Sequence, residues 1–368
     1  MEFRAAVLTQ TGGPLEICDV EIPELKPGDV LIRVMASGLC HTDLEAIQGR
    51  LGLPLPLIPG HEGAGIVERV APDVTHVKPG DHVVCSWNPY CGHCFYCDEG
   101  QPILCESRSA NEPRGYLLDG TSRLRMNGDN VYHYSSVCSH AQYCVVPQSG
   151  AVKIPEEIPF DRACLLGCGV LTGVGAVIRR AQVRAGTNVA AVGCGALGLN
   201  VIQGARMVGA EKIIAIDVRN DKLERARLFG ATHLVNASEV DVVDAVKSET
   251  SGRGADYVFE AAGIDHTLQA SIDITRPGGN LVILGKTEVS KEIPIRWGSL
   301  MPERVITRSS YGGSRPHIDF PFLARAYLED KLMLDELIDT RIKLEEVNKG
   351  FDDLEDGWLI RAVIEMQH

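Results

Sequence analysis

The sequence predicts an α/β protein of two domains, a β-rich domain and a doubly wound parallel-sheet domain inserted into it. Three observations predict this. The chain has 368 residues, more than one ordinary core accommodates. Its first 150 or so residues carry short β-branched runs punctuated by Pro-Gly turns. From about residue 169, strand-like apolar runs alternate with helical spacing, the pattern of a parallel sheet covered on both faces.

In the first part, residues 30–36 and 65–70 are apolar and β-branched, and turns at Pro27-Gly28 and Pro79-Gly80 separate such runs. In the second part, residues 188–192 form a short strand that runs into Gly193-Cys194-Gly195-Ala196-Leu197-Gly198. A helix is expected over 199–208 and a strand over 212–216, ended by Asp217. Residues 221–229 have helical spacing with charges outward, and Gly230 is a helix stop. A strand over 256–260, a helix over 267–274, a turn at Pro277-Gly278-Gly279 and a strand over 280–284 follow. After about Ser310 the alternation fades, and residues 362–365 read as a strand that rejoins the first domain. The expected bounds are 1–169 with 310–368 for one domain and 170–309 for the other.

Composition narrows the function classes. With 45% hydrophobic and 23% charged residues the chain is an ordinary soluble globular protein. Its formal charge of −13 repels nucleic acid and anionic membranes, so the expected partner is a small molecule or a second copy of the chain. The longest uncharged stretch, 185–205, contains five glycines, which suits a strand, turn and helix and not a membrane span. Residues 1–9 lack a secretory pattern, and a cytoplasmic location is expected. Twelve cysteines in a chain this long point to metal ligands, catalytic groups or small buried hydrophobes before a disulfide framework.

Cys91, Cys94, Cys97 and Cys105 form C-x2-C-x2-C-x7-C. Four thiolates on one short loop can close a tetrahedral Zn²⁺ site, which makes a structural role the expectation. The bacterial iron–sulfur pattern also uses two-residue gaps, but it ends in Cys-Pro, and here Glu106 follows Cys105. Three dispersed segments carry further ligand types: Cys40-His41-Thr42-Asp43, Gly60-His61-Glu62-Gly63 and Gly167-Cys168-Gly169. Each alone has an ordinary reading as packing or surface. Two cysteines and a histidine together would make a zinc site with an open fourth position, where an alcohol oxygen could bind.

Gly193-x-Gly195-x-x-Gly198 follows a strand, opens a helix and precedes Asp217 at the spacing of a dinucleotide-binding loop. The glycines permit a tight turn, close approach to a pyrophosphate, and helix–strand packing. Asp217 can accept hydrogen bonds from ribose hydroxyls and would repel a 2′-phosphate, which favours NAD over NADP, with Arg219 nearby as a counterweight.

Over essentially its whole length the sequence resembles the zinc-containing medium-chain alcohol dehydrogenases. The resemblance lies in Gly60–Gly65 (GHEGAG), Cys40–Asp43 (CHTD), the four-cysteine loop, Gly167–Gly169 (GCG) and the nucleotide loop. It implies a GroES-like catalytic domain beside a Rossmann domain, and two Zn²⁺ per subunit with NAD. It implies that Cys40, His61 and Cys168 hold the catalytic zinc, with Glu62 near the metal, Asp43 orienting His61, and Thr42 taking the alcohol proton. Cys91, Cys94, Cys97 and Cys105 would hold the structural zinc. Asp217 and Lys222 would contact the adenosine ribose, and His41 and Arg361 the pyrophosphate. A homodimer or homotetramer is implied, with an edge strand at 280–284, extended toward Ile295, pairing with a second subunit.

The sequence departs from the family in two places. Glu45 stands where many members have a histidine at the outer end of a proton relay. The glutathione-dependent formaldehyde branch usually has an arginine at the position of Ser109, and here Arg108 is one residue away. The expected activity is NAD-linked interconversion of a primary alcohol, with aromatic and allylic alcohols among the candidates, and its aldehyde. The alternatives are an S-(hydroxymethyl)glutathione dehydrogenase and a non-enzymatic nucleotide-binding relative. Trp87 and Tyr90 would suit an aromatic pocket or ordinary packing equally.

Overall fold

The computed structural model describes residues 1–109, 114–287, 290–357 and 359–368, with the side chains at 108 and 109 excluded. The chain forms two compact units, Met1–Cys168 with Arg315–His368, and Gly169–Ser314.

The first unit is built around the strand Asp29–Gly38. Alternate residues along a strand face opposite sides. Val30, Ile32 and Val34 accordingly enter one apolar cluster, and Leu31 enters a second. One edge of this strand pairs antiparallel with Glu62–Val70. Its other edge takes Tyr143–Pro147 along the first half and Ala362–Glu365 along the second. The chain's end is therefore a strand that completes the same sheet. The helix Val347–Glu355 closes one face, setting Val347, Phe351 and Leu354 at helical spacing against the first cluster. Five further strands close a small barrel in the order Glu2–Leu8, Leu15–Glu21, Leu124–Met126, Asp129–His133 and Leu57–Ile58.

The second unit is a six-stranded, all-parallel sheet. Its spatial order is His233–Asn236, Lys212–Asp217, Asn188–Val192, Ala255–Glu260, Thr275–Ile283 and Val305–Arg308. In chain order that is 3-2-1-4-5-6, the doubly wound Rossmann arrangement. The helix Asn220–Phe229 stops at Gly230, whose φ of 116° only glycine adopts without strain.

Two sequence expectations change. Pro277-Gly278-Gly279 does not separate two elements. It lies within the strand Thr275–Ile283, where the register steps from Ala255↔Thr275 to Tyr257↔Asn280, so the prolyl-glycyl segment bulges out of a continuing strand. The residues expected to form a sheet edge, 280–284, are flanked on both sides, because Val305–Arg308 adds in parallel beyond them and forms the edge.

Candidate metal and dinucleotide sites

The dispersed segments meet in the first unit. Cys40 ends the strand-to-helix passage after Asp29–Gly38 and caps the helix His41–Ile47. His61 stands just before the neighbouring strand, which Glu62 opens, and Cys168 follows a short turn at Cys164–Gly167. The ligand atoms of Cys40, His61, Glu62 and Cys168 all lie within 4.8 Å of one another, and the first three residues are buried. Gly38 leaves room for the Glu62 side chain, because a Cβ on it would meet Glu62 Oε2 and crowd Glu62 Cβ at 3.2 Å.

Asp43 organises the group. Its Oδ2 accepts the Cys40 backbone N–H at 3.1 Å, which fixes the first turn of the helix. Its Oδ1 accepts from Gly60 N at 3.1 Å and faces His61 Nδ1 at 2.8 Å. A carboxylate can only accept, so Nδ1 carries a proton, which leaves Nε2 as the nitrogen that a metal would take in exchange for any proton there. Thr42 Oγ1 stands 3.8 Å from Cys40 Sγ. Arg361 Nη2 lies 3.2 Å from Glu62 Oε1 and 3.8 Å from Cys40 Sγ, buried with them.

The electrostatics are those of a donor set pressed together. A hydrogen bond from Cys168 holds the Cys40 thiol well below its ordinary value against burial, with Arg361 and His61 helping. The same bond, with burial, pushes the Cys168 thiol well up. Burial opposes charge on His61, yet Asp43 and Cys40 together raise it well above the usual imidazole value. Burial lifts Glu62 to about 7 against the pull of Arg361. Two thiols, an imidazole and a carboxylate converging in a dry site are the ligand chemistry of a soft divalent cation such as Zn²⁺. The residues fit that ion.

Cys91, Cys94, Cys97 and Cys105 form a second group, again within 4.8 Å. The short helix Phe95–Asp98 turns the chain between them, and Cys91 N donates to Cys105 Sγ at 3.3 Å. Four sulfurs fit a closed zinc site.

In the second unit, Gly193 turns at φ 92°, and Gly195 caps the helix Ala196–Met207. A Cβ on Gly198 would strike Gly193 O, so that glycine serves the packing of the loop itself. A Cβ on Gly195 would meet nothing within 4 Å. Its bare backbone answers no contact in the protein, and it leaves the helix N-terminus open for a phosphate. Asp217 Oδ2 accepts from Cys194 N at 2.8 Å and Oδ1 from Arg219 N at 3.1 Å, which ties the loop to the second strand. The Arg219 guanidinium pairs with Asp221 at 2.6 Å. Lys222 lies in the first turn of the next helix.

The structure thus groups Cys40, Thr42, Asp43, His61, Glu62, Cys168 and Arg361 in one unit, and Gly193, Gly195, Gly198, Asp217 and Lys222 in the other. His41 is exposed at the start of its helix. Trp87 packs against the first apolar cluster. The side chains of Arg108 and Ser109 lie outside the described residues. Sequence reasoning missed Tyr134, whose hydroxyl donates to Thr42 O at 3.0 Å and whose ring meets His61 edge-on at 5.5 Å. It also missed His140, Ser37 and Ser139, buried behind Asp43. Burial pushes the His140 imidazole down to about 4. Nothing in the spacing of these residues signals a contact across some hundred positions.

A family model for an alcohol dehydrogenase GroES-like domain matches residues 26–156, and one for a zinc-binding dehydrogenase matches residues 196–327. Over 375 residues the chain is 39% identical to an alcohol dehydrogenase class-3 from Cereibacter sphaeroides, covering 99% of this chain and 100% of that one. It is 38% identical over 374 residues to an S-(hydroxymethyl)glutathione dehydrogenase from Paracoccus denitrificans, covering 99% and 100%. The crystal structure of benzyl alcohol dehydrogenase from Acinetobacter calcoaceticus superposes with a TM-score of 0.94 at 30% identity over all of both chains.

Proposed function

The chain belongs to the zinc-containing alcohol dehydrogenases, and from that premise we propose that it oxidises a primary alcohol, aromatic or allylic in kind, reversibly to its aldehyde with NAD. The observation that carries the reading is the buried Cys40–His61–Glu62–Cys168 group with the Thr42 hydroxyl beside it, in a chain that also has an open Gly195 helix terminus. When bound, zinc supplies Lewis acidity to the alcohol hydroxyl and NAD accepts the hydride.

The chain's own residues do the rest. Cys40, His61 and Cys168 hold the metal, and Asp43 keeps the His61 proton on Nδ1. Thr42 Oγ1 takes the hydroxyl proton and passes its own outward. Tyr134 fixes the Thr42 backbone and packs its ring against His61, which holds both in place. Gly193, Gly195 and Gly198 admit the pyrophosphate to the helix terminus, and His41 and Arg361 are carried as further pyrophosphate contacts on the family resemblance. Asp217 and Lys222 receive the ribose hydroxyls, and the Asp217 charge disfavours a 2′-phosphate. The four-cysteine loop holds the second zinc.

A second reading, a dehydrogenase of S-(hydroxymethyl)glutathione, is favoured by the names of the relatives at 38–39% identity. The chain assembles as a homodimer or homotetramer in the cytoplasm. Trp297, Met301 and Val305, exposed beside the edge strand Val305–Arg308, supply apolar surface for a second copy. Among the described residues no single helix is long and apolar enough to cross a membrane.

The test is nicotinamide reduction by the purified protein, with NAD and NADP offered separately. Benzyl alcohol, a short and a long primary alcohol, and a formaldehyde–glutathione mixture are compared. Reduction of NAD by benzyl alcohol supports the first reading. Activity confined to the glutathione mixture replaces it with the second. Silence with all of them, in protein holding two zinc ions, overturns both.

A further inference from the structure

Behind Asp43 lies a polar cluster that the catalytic reading leaves without a task. Ser37, Ser139 and His140 are fully buried, as is Asp43. Ser37 Oγ lies 2.6 Å from Ser139 Oγ and 2.9 Å from His140 Nδ1. On the other side of the ring, His140 Nε2 faces Asp43 Oδ2 at 3.9 Å. We propose that Ser139, Ser37 and His140 are positioning residues that hold Asp43, and through it His61, in the one arrangement that presents His61 Nε2 to a metal. The inference rests on reading Cys40, His61 and Cys168 as a metal site.

The direction of the chain follows from donor chemistry. Asp43 only accepts, so the ring nitrogen facing it is the one that carries hydrogen. In a neutral imidazole His140 Nδ1 is then an acceptor, and Ser37 Oγ donates to it. Ser37 Oγ in turn accepts from Ser139. The hydrogen bonds run one way, from Ser139 through Ser37 to His140, whose far N–H points toward Oδ2, while His61 Nδ1 donates to Oδ1 from the opposite side. At 3.9 Å the His140–Asp43 link is a dipole aimed at a charge, longer than a hydrogen bond. Among the described residues Nε2 has no hydrogen-bond partner. In a dry site such a dipole is electrostatically strong and fixes the orientation of the group it faces.

Two independent features show that the backbone is shaped around this cluster. Gly60, at φ 94°, and Gly63 leave room for it. A Cβ at Gly60 would come within 2.5 Å of His140 N, 2.6 Å of His140 Nδ1 and 2.7 Å of Ser139 Oγ. A Cβ at Gly63 would come within 2.6 Å of Ser139 Cβ. The glycines flanking His61 and Glu62 therefore serve the positioning cluster and not the metal ligands themselves. The turn that delivers Ser139 and His140 also holds three non-glycine residues at positive φ, Ser135 at 51°, Ser136 at 57° and Cys138 at 63°. Such conformations persist only where surrounding structure imposes them, and they concentrate at functional sites. Here Ser139 N donates to Gly60 O at 3.0 Å and His140 N to Pro59 O at 3.1 Å, locking the turn to the segment that carries His61.

The experiment follows release of zinc from the holoenzyme into a chromogenic chelator. The site's phase is identified as the one missing in Cys168→Ser, and the four-cysteine zinc serves as an internal control. His140→Phe, which keeps the ring's bulk and removes its donor, is expected to speed release from the site about tenfold, the lower end for an outer partner of a metal ligand. The other phase should not change. His140→Gln, whose amide can still donate to Asp43, should restore slow release. In Co²⁺-substituted protein the visible absorption of the site should shift in His140→Phe and return in His140→Gln. If His140→Phe does not fold, Ser37→Ala carries the same comparison. Unchanged release and unchanged cobalt spectrum in both variants would overturn the proposal. So would equal acceleration of both phases without rescue by glutamine, which marks general loosening. Wild-type protein that binds one zinc, all in the four-cysteine loop, would instead remove the metal-site reading beneath it.

Discussion

Replacing Asp43 by asparagine changes one oxygen to an amide in a site that offers only donors. Asp43 Oδ1 takes Gly60 N–H and His61 Nδ1–H, and Oδ2 takes Cys40 N–H. An asparagine can keep its oxygen on one side only. With the oxygen toward His61, the NH₂ group confronts Cys40 N–H and loosens the cap of the helix that carries Thr42. With the oxygen toward Cys40, the NH₂ group confronts His61, which must turn or move its proton to Nε2, the nitrogen the metal needs. Either way a buried donor is left unsatisfied, at about 1–3 kcal/mol. Removing such an outer partner lowers metal affinity about 10–100-fold, or about 1.4–2.7 kcal/mol at the site. Competition with a chelator of known affinity measures this, with the four-cysteine zinc as reference. Asp43→Asn should lose the Cys40–His61–Cys168 metal selectively and turn over slowly in proportion. Site affinity within a factor of two of wild type would refute the argument that Asp43 sets the His61 proton.

Two further predictions concern the rest of the chain. Gly195→Ala and Gly198→Ala should separate binding from folding. The first places a methyl in open space and should weaken NAD binding with little change in melting temperature, whereas the second strikes Gly193 O and should destabilise the second unit by about 1–3 kcal/mol. Equal melting temperatures, read by calorimetry, would contradict the division. His133 is held down to about 3 by burial and by the Arg123 charge, and its Nε2 accepts from Arg123 N at 3.1 Å. An unfolded histidine titrates near 6.5, so the unfolded chain binds the extra proton first. This contribution to stability is whole above about 6.5 and is lost as pH falls toward about 3. Urea titrations from pH 7 to 4 should show a slope that His133→Gln reduces by about one proton.

What was legible in the sequence was local chemistry. The nucleotide loop reads as a unit because its strand, glycines and acidic residue all lie between Asn188 and Asp217. The four-cysteine loop reads for the same reason, since a chelating turn is a short-range event. The dispersed site was legible only through resemblance, because sheet register brings Cys40 to His61 and packing of the Cys164–Gly167 turn brings Cys168, neither of which spacing shows. Contacts made by long-range burial escaped, even where resemblance had named one partner, as it had Arg361. Arg361 meets Glu62 across 299 positions, and His140 meets Ser37 across 103. The Pro277-Gly278-Gly279 segment misled because a bulge and a turn use the same residues. The difference lies in the neighbouring strand, which continues past it.

The strand Ala362–Glu365 has a consequence for how the protein is made. Its partner on the sheet, Asp29–Gly38, leaves the ribosome early, and the contact between Arg361 and Cys40 spans 321 residues. At roughly 5–20 residues per second, synthesis of the intervening chain takes on the order of 16–64 s. Throughout that time half of one strand edge lacks its final neighbour, an invitation to pairing with other nascent chains. The Gly169–Ser314 unit, contiguous in sequence, can meanwhile fold by itself as it emerges. Assembly of the metal-bearing unit therefore waits until residues 362–365 have been made. Nascent chains halted before residue 362 should carry a finished dinucleotide domain beside a strand still waiting for its partner.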